Sequence, residues 1–153
     1  MKATHLSCAV ALAIAASTAS AACLTDQQAS ALVDAVMART PAANPEGLSE
    51  ADGACSRAKV TALLELRLGP VVGYKAGLTN PAVQKRFGYD KPVWGKLFDG
   101  MVLDNGAEVP AAFGARPLYE ADLLVRVKSD TINQARTPEE VLDAIDLVIP
   151  FIE

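Results

Sequence analysis

The chain has 153 residues, 51% of them apolar and 21% charged, a balance that suits one globular domain and excludes a disordered protein. The net charge is −4 and the pI is near 5.0. With no basic stripe and few aromatics, the composition excludes a nucleic-acid surface.

The first 21 residues read as a secretory signal peptide. Lys2 gives a positive start, residues 6–16 are almost wholly apolar, and Ala19-Ser20-Ala21 is a small-x-small cleavage site. The apolar stretch is shorter than the ~20 residues that span a bilayer. The alternatives are a buried N-terminal helix and a lipoprotein signal centred on Cys23. Ser20 stands where the latter usually has Leu. Cleavage after Ala21 and export to a bacterial periplasm are expected, with no membrane attachment afterwards. Cleavage removes Lys2, Cys8 and His5, the only histidine. A chain without His has no Ser-His or Cys-His catalytic pair, so any metal is held by oxygen or by cysteine sulfur. Cys23 and Cys55 remain, an even number in an oxidising compartment, which predicts a disulfide between them. The alternative is two unpaired thiols. Their spacing carries no CxxC and no zinc signal.

Thr25-Asp26-Gln27-Gln28 is a capping box, and Ala29, Leu32, Val33 and Val36 follow at helical spacing, predicting a helix over 26–38. A loop over 40–48 carries Pro41, Pro45 and Gly47. Ser49 reads as the N-cap of a second helix, with Glu50 and Asp52 in its first turn and Cys55, Leu63 and Leu66 as its apolar side. The two helices can pack as a pair, fastened by the cysteines. Residues 70–74 read as a short buried strand, followed directly by Lys75. Asn80-Pro81 starts a short helix that ends before Gly88. Residues 93–98 and 100–103 read as strands, and Asp104-Asn105-Gly106 as a hairpin turn into 107–110. Thr137-Pro138-Glu139-Glu140 is another capping box, for a helix to about residue 145. An apolar, β-branched run over 147–152 reads as a buried strand. Helices followed by a β-rich part make an α+β pattern, without doubly wound alternation. Gly69, Gly73 and Gly77 do not open a helix, so no dinucleotide fingerprint is present.

Between these elements lies Pro117-Leu118-Tyr119-Glu120-Ala121-Asp122-Leu123-Leu124-Val125. Strand side chains alternate, so Glu120 and Asp122 share a face, while Tyr119, Ala121, Leu123 and Val125 line the other, toward a core. Two neighbouring carboxylates repel, and a hard cation offsets that cost. Glu153 closes the apolar run Val148-Ile149-Pro150-Phe151-Ile152. Three acids from two strands could form an oxygen-only site for Mg²⁺ or Mn²⁺, or, less specifically, Ca²⁺. The plain alternative for Glu120 and Asp122 is a solvated sheet surface. Lys75 either snorkels to the surface or is held inside against an anion, where it can move protons.

The stretch Val71-Val72-Gly73-Tyr74-Lys75-Ala76-Gly77-Leu78-Thr79-Asn80-Pro81-Ala82-Val83-Gln84 resembles the 2-keto-4-pentenoate hydratases of the fumarylacetoacetate hydrolase superfamily. The resemblance continues through Gly95-Lys96-Leu97-Phe98-Asp99-Gly100-Met101, Gly106-Ala107-Glu108-Val109-Pro110, the Glu120 strand and the run ending at Glu153. It covers roughly residues 48–153.

The caps and periodicity above make residues 22–68 a helical region, and the resemblance, which touches the first helix only weakly, implies over 69–153 part of a mixed β-roll of that superfamily. It implies Mg²⁺ or Mn²⁺ held by a Glu-x-Glu pair and a later Glu, which fall on Glu120, Asp122 and Glu153. Asp122 is one methylene shorter than the family's residue. The family's lysine falls on Lys75. The implied reaction hydrates a small anionic 2-hydroxy-2,4-dienoate to a 4-hydroxy-2-oxo acid. A 2-oxo-acid decarboxylase of the same superfamily and a non-catalytic periplasmic binding relative are the rival expectations. Such enzymes run on toward ~250 residues, so a fragment or a degenerate relative is expected. A half-built roll exposes apolar strands, which predicts self-association into homo-oligomers.

Overall fold

The computed structural model describes residues 22–153; the expected signal peptide lies outside them. The described residues divide into two compact units. The first holds residues 22–31 and Asn44–Met101, the second Leu32–Ala43 and Val102–Glu153.

Helix α1, Asp26–Met37, begins in the first unit. Its start is the expected reciprocal cap: the Thr25 N–H donates to Gln28 Oε1 at 2.9 Å, and the Gln28 N–H donates to Thr25 Oγ1 at 3.2 Å. Helix α2, Glu50–Leu68, has Ser49 as N-cap and a complete capping box with Asp52. Gly69 ends it at φ 84°, a left-handed value that favours glycine, and the Gly69 N–H donates to the Glu65 carbonyl. The buried side of α2 is not the expected one. Leu66 is 81% exposed, while Asp52 and Ser56 are the buried positions, beneath the chain start. Cys23 and Cys55 are joined by a disulfide, with Cα atoms 5.6 Å apart.

Strand β1, Val71–Gly77, pairs antiparallel with β2, Val93–Phe98. Between them lies α3, Pro81–Phe87, capped by Asn80 Oδ1 on the Ala82 N–H and closed by left-handed Gly88. Phe98 is buried, and Trp94 lies under the Arg57 guanidinium, 4.2 Å from the ring centroid. Tyr74 meets Trp94 edge to face at 5.9 Å. The strand expected over 100–103 is instead a 3₁₀ turn, Asp99–Met101, followed by irregular chain. Backbone crowding explains this: a Cβ on Gly100 would stand 3.0 Å from the Leu68 carbonyl oxygen, so this backbone lies against the end of α2. The turn at Asp104–Gly106 forms, with the Ala107 N–H donating to the Asp104 carbonyl, but no ladder flanks it.

In the second unit β3, Ala121–Val127, pairs antiparallel with β4, Ile145–Ile152. The link between them is tied by the Lys128 N–H on the Ala144 carbonyl at 2.8 Å. It carries a 3₁₀ turn, Asp130–Gln134, and α4, Pro138–Asp143, started by a complete Thr137–Glu140 capping box. Ala144 is fully buried there.

The fold is therefore α+β, with N-terminal helices followed by antiparallel strands. The described strands make two separate two-stranded ladders and no closed roll. Burial is sparse: the strands expected to be buried at 70–74 and 147–152 are largely exposed, because no second layer among the described residues covers them. Among the described residues no helix is long and apolar enough to cross a membrane.

Candidate acidic site on the second ladder

The β3–β4 register aligns the acids. Ala121 pairs with Ile152 and Asp122 with Phe151. One step further out, the Glu120 N–H donates to the Glu153 carbonyl and the Glu153 N–H to the Glu120 carbonyl, both at 2.9 Å. Directly opposed residues of an antiparallel pair project from the same face. Glu120 and Glu153 therefore share a face, and strand alternation adds Asp122 to it.

That face is the better covered of the two. Leu124 and Phe151, which share it, are half-buried. The opposite face was expected to meet a core, yet Tyr119, Leu123 and Val125 on it are 84%, 61% and 49% exposed. Nothing among the described residues of this unit is layered on that side. Strand periodicity sorted the residues into two sets, but neither set meets a core: Glu120, Asp122 and Glu153 are exposed as well.

Glu120 and Glu153 also line one open pocket of about 290 Å³, with Phe113, Arg116, Pro117 and Leu118. Arg116 was not singled out from the sequence. Its signal is a cation four residues before Glu120, on the loop leading into the strand. Asp122 does not line the pocket; its Oδ1 accepts the Leu123 N–H at 2.7 Å. Among the described residues no three Asp, Glu, His or Cys side chains gather closely enough to hold a metal ion. The donor chemistry suits a hard divalent cation, since all three are carboxylates on one face. The residues fit the ion in type and in facing; Asp122 does not converge with the other two while it holds its neighbour's amide.

At the other end of the ladder β4 bulges, so that Asp146 is the extra residue opposite Arg126 and Val127. Its carboxylate receives the Arg126 fork, Nε at 3.0 Å and Nη2 at 2.8 Å. This pair holds Asp146 below the usual carboxylate range, chiefly through the Arg126 hydrogen bonds.

Lys75 belongs to the first unit. It does not follow the strand, as expected, but sits inside β1, exposed and opposite Gly95. Gly73 and Gly77 flank it on the same face. Gly95 opposite adds no side chain, whereas Leu97 and Val93, the partners of Gly73 and Gly77, carry theirs on this same face. A Cβ on Gly95 would meet nothing within 4 Å, so glycine there is not enforced by any clash among the described residues.

The acids at a strand-pair end and the glycine-flanked lysine are features of the hydratase blocks set out above. Comparison with curated proteins agrees over part of the chain. It is 37% identical over 83 residues to a 2-keto-4-pentenoate hydratase of Paraburkholderia xenovorans, covering 54% of this chain and 31% of that one. It is 35% identical over 95 residues to a 2-hydroxypent-2,4-dienoate hydratase of Pseudomonas putida, covering 60% and 43%. A Burkholderia vietnamiensis 2-keto-4-pentenoate hydratase is 36% identical over 83 residues. No protein-family model matches. Over about half its length the chain is thus homologous to the 2-keto-4-pentenoate hydratases, consistent with the fumarylacetoacetate hydrolase superfamily. It spans about a third of the length of the first of these relatives.

Proposed function

We propose that the chain carries part of a hydratase site that adds water to a small anionic 2-hydroxy-2,4-dienoate, giving a 4-hydroxy-2-oxo acid. The observation that supports this best is the Glu120–Glu153 pair with Asp122 on its face, read together with the homology to hydratases. Glu120, Glu153 and Asp122 would hold Mg²⁺ or Mn²⁺, with Asp122 exchanging the Leu123 amide for the ion. Such an ion supplies Lewis-acid polarisation of an oxo-acid and charge stabilisation of its enolate. Lys75 would orient the substrate carboxylate, or pass a proton at its Nζ during ketonisation of the dienol. Lys75 stands exposed on β1. The two ladders are read as portions of the superfamily's β-roll.

The processing signal at Ala19-Ser20-Ala21 supports export, with a periplasmic destination. A second reading, a binding protein that holds an oxo acid without turnover, is favoured by the failure of the three acids to converge.

One assay separates the readings. The chain is incubated with 2-hydroxypenta-2,4-dienoate, with Mg²⁺ and with EDTA, and ultraviolet absorbance is followed. Metal-dependent loss of absorbance without CO₂ release is the expected result. CO₂ release from an oxalocrotonate-type substrate would replace the hydratase by a decarboxylase. A folded chain that turns over neither, yet binds oxo acid, establishes the second reading.

A further inference from the structure

We propose that Asp52 is the receptor for the mature N-terminus: the α-ammonium group that cleavage after Ala21 creates on Ala22 binds its buried carboxylate. This rests on the processing reading of the first 21 residues, and it adds a site that the hydratase reading does not use.

Asp52 is only 6% exposed. Its Oδ2 accepts the Ser49 N–H at 2.8 Å and the Ser49 hydroxyl at 2.6 Å. Its Oδ1 is enclosed and makes no hydrogen bond among the described residues. An enclosed carboxylate oxygen lacking a donor is costly, and native structures rarely leave one so. The chain start is fastened beside it. Cys23 is bonded to Cys55, less than one helical turn beyond Asp52. The Leu24 N–H donates to Ser56 Oγ at 2.9 Å, and that hydroxyl donates to the Asp52 carbonyl at 2.6 Å. Lys59 Nζ then reaches the Leu24 carbonyl at 3.0 Å and Asp26 Oδ1 at 2.7 Å. Residues 22–26 are thereby laid along α2 from Asp52 to Lys59, which sets Ala22 at the carboxylate. The Ala22 backbone N–H, after the two Ser49 bonds, contributes to holding that carboxyl below its usual range.

In the uncut chain the Ala22 nitrogen is an amide with one hydrogen. Hydrolysis adds water across the Ala21–Ala22 bond: hydroxyl goes to the Ala21 carbonyl carbon, and the nitrogen leaves as an amine that takes up a proton. An ammonium group has three donors and a full charge, enough to serve both carboxylate oxygens. Two charged groups of α2 already have partners of their own. Lys59 pairs with Asp26, and Glu50 on the first turn of α2 pairs with Lys91.

The test uses the chain beginning at Ala22 with a free amine, and the same chain with one Gly placed before Ala22. Each is also made with Asp52→Asn. The α-amino group is ¹³C-dimethylated and titrated by NMR. The Ala22 chain should show an α-amino pKa about half a unit or more above the ordinary 7.7–8.0, and Asp52→Asn should return it to that range. The Ala22 chain should melt several degrees above the Gly-extended chain below pH ~8. That margin should vanish as pH rises through the raised pKa, where the ammonium is lost. An ordinary α-amino pKa in the folded Ala22 chain overturns the pairing, whatever Asp52→Asn does to folding. Processing is read separately, by the intact mass of the chain made with its leader in a bacterium. A mass that does not begin at Ala22 overturns the maturation step, and the pairing result still stands or falls on the defined chain.

Discussion

Glu120 and Glu153 face each other as a hydrogen-bonded antiparallel pair, each N–H reaching the other's carbonyl at 2.9 Å. The backbone holds two carboxylates side by side at the end of a ladder, where like charges directly opposed destabilise the pairing. Without divalent ion, Glu120→Gln should therefore raise the melting temperature slightly. With Mn²⁺ the sign should reverse: the unmodified chain gains thermal stability, and Glu120→Gln gains little and binds Mn²⁺ at least about tenfold more weakly. Calorimetric melting and Mn²⁺ titration by electron paramagnetic resonance check both. A chain whose melting ignores Mn²⁺ would show that these acids hold no ion.

Arg126 and Asp146 supply an acid-sensitive clasp on the same ladder. Asp146 titrates below its ordinary value because the Arg126 fork stabilises its charged form. The linkage sign follows: this contribution is present above the ordinary value of ~3.9 and is lost as pH falls through the depressed folded value. Arg126→Lys keeps the charge but loses the planar fork, so the Asp146 pKa should move up toward ~3.9. Carboxyl-detected NMR titration reads the shift, and an unmoved Asp146 would reassign its cause.

The Cys23–Cys55 bridge closes the N-terminal segment onto α2. Reduction, or Cys55→Ser, should destabilise the first unit by about 2–4 kcal/mol. Denaturant melts with and without dithiothreitol give the difference. Coincident midpoints would mean the noncovalent contacts of Leu24, Ser56 and Lys59 hold the segment unaided.

Ser49 starts α2 by accepting the Asp52 N–H and donating its hydroxyl to the Asp52 carboxylate. Ser49→Ala should cost about 1 kcal/mol, and Ser49→Gly only a few tenths. Chemical denaturation of the two variants tests the ordering, which a purely steric role for Ser49 would not produce.

Leu123 and Val125 stand exposed on the outer face of β3. An uncovered apolar strand face favours self-association. Analytical ultracentrifugation should show concentration-dependent oligomers that Leu123→Lys reduces. A monomer at all concentrations would dismiss this face as a contact surface.

Local structure was the most legible part of the sequence. The caps at Thr25, Ser49, Asn80 and Thr137 announced four helices within a residue or two of their observed starts, because a cap is satisfied by side chains three positions away. The shared face of Glu120 and Asp122 was legible for the same reason. Which face is covered was not, since strand alternation is symmetric and only tertiary layering breaks that symmetry. Lys75 illustrates the same limit: its apolar neighbours suggested a buried strand, but Val72 and Tyr74 are 52% and 69% exposed. Residues 100–103 failed as a strand because the close approach of Gly100 to Leu68 is a long-range fact.

The β3–β4 register divides the second unit into places that tolerate a change in length and places that do not. Losing Ala121 would swing Asp122 to the far side from Glu120, losing Ile152 would do the same to Glu153 relative to Phe151, and a loss elsewhere in either strand would shift the register that opposes them. The bulge at Asp146 has already spent the one irregularity this ladder shows. Between the strands, the Lys128–Ala144 bond closes the connection at its base, so its turn and short helix can lengthen or shorten without reaching the acids. Insertions and deletions accepted by this chain should therefore gather between residues 129 and 143 and spare the ladder on either side.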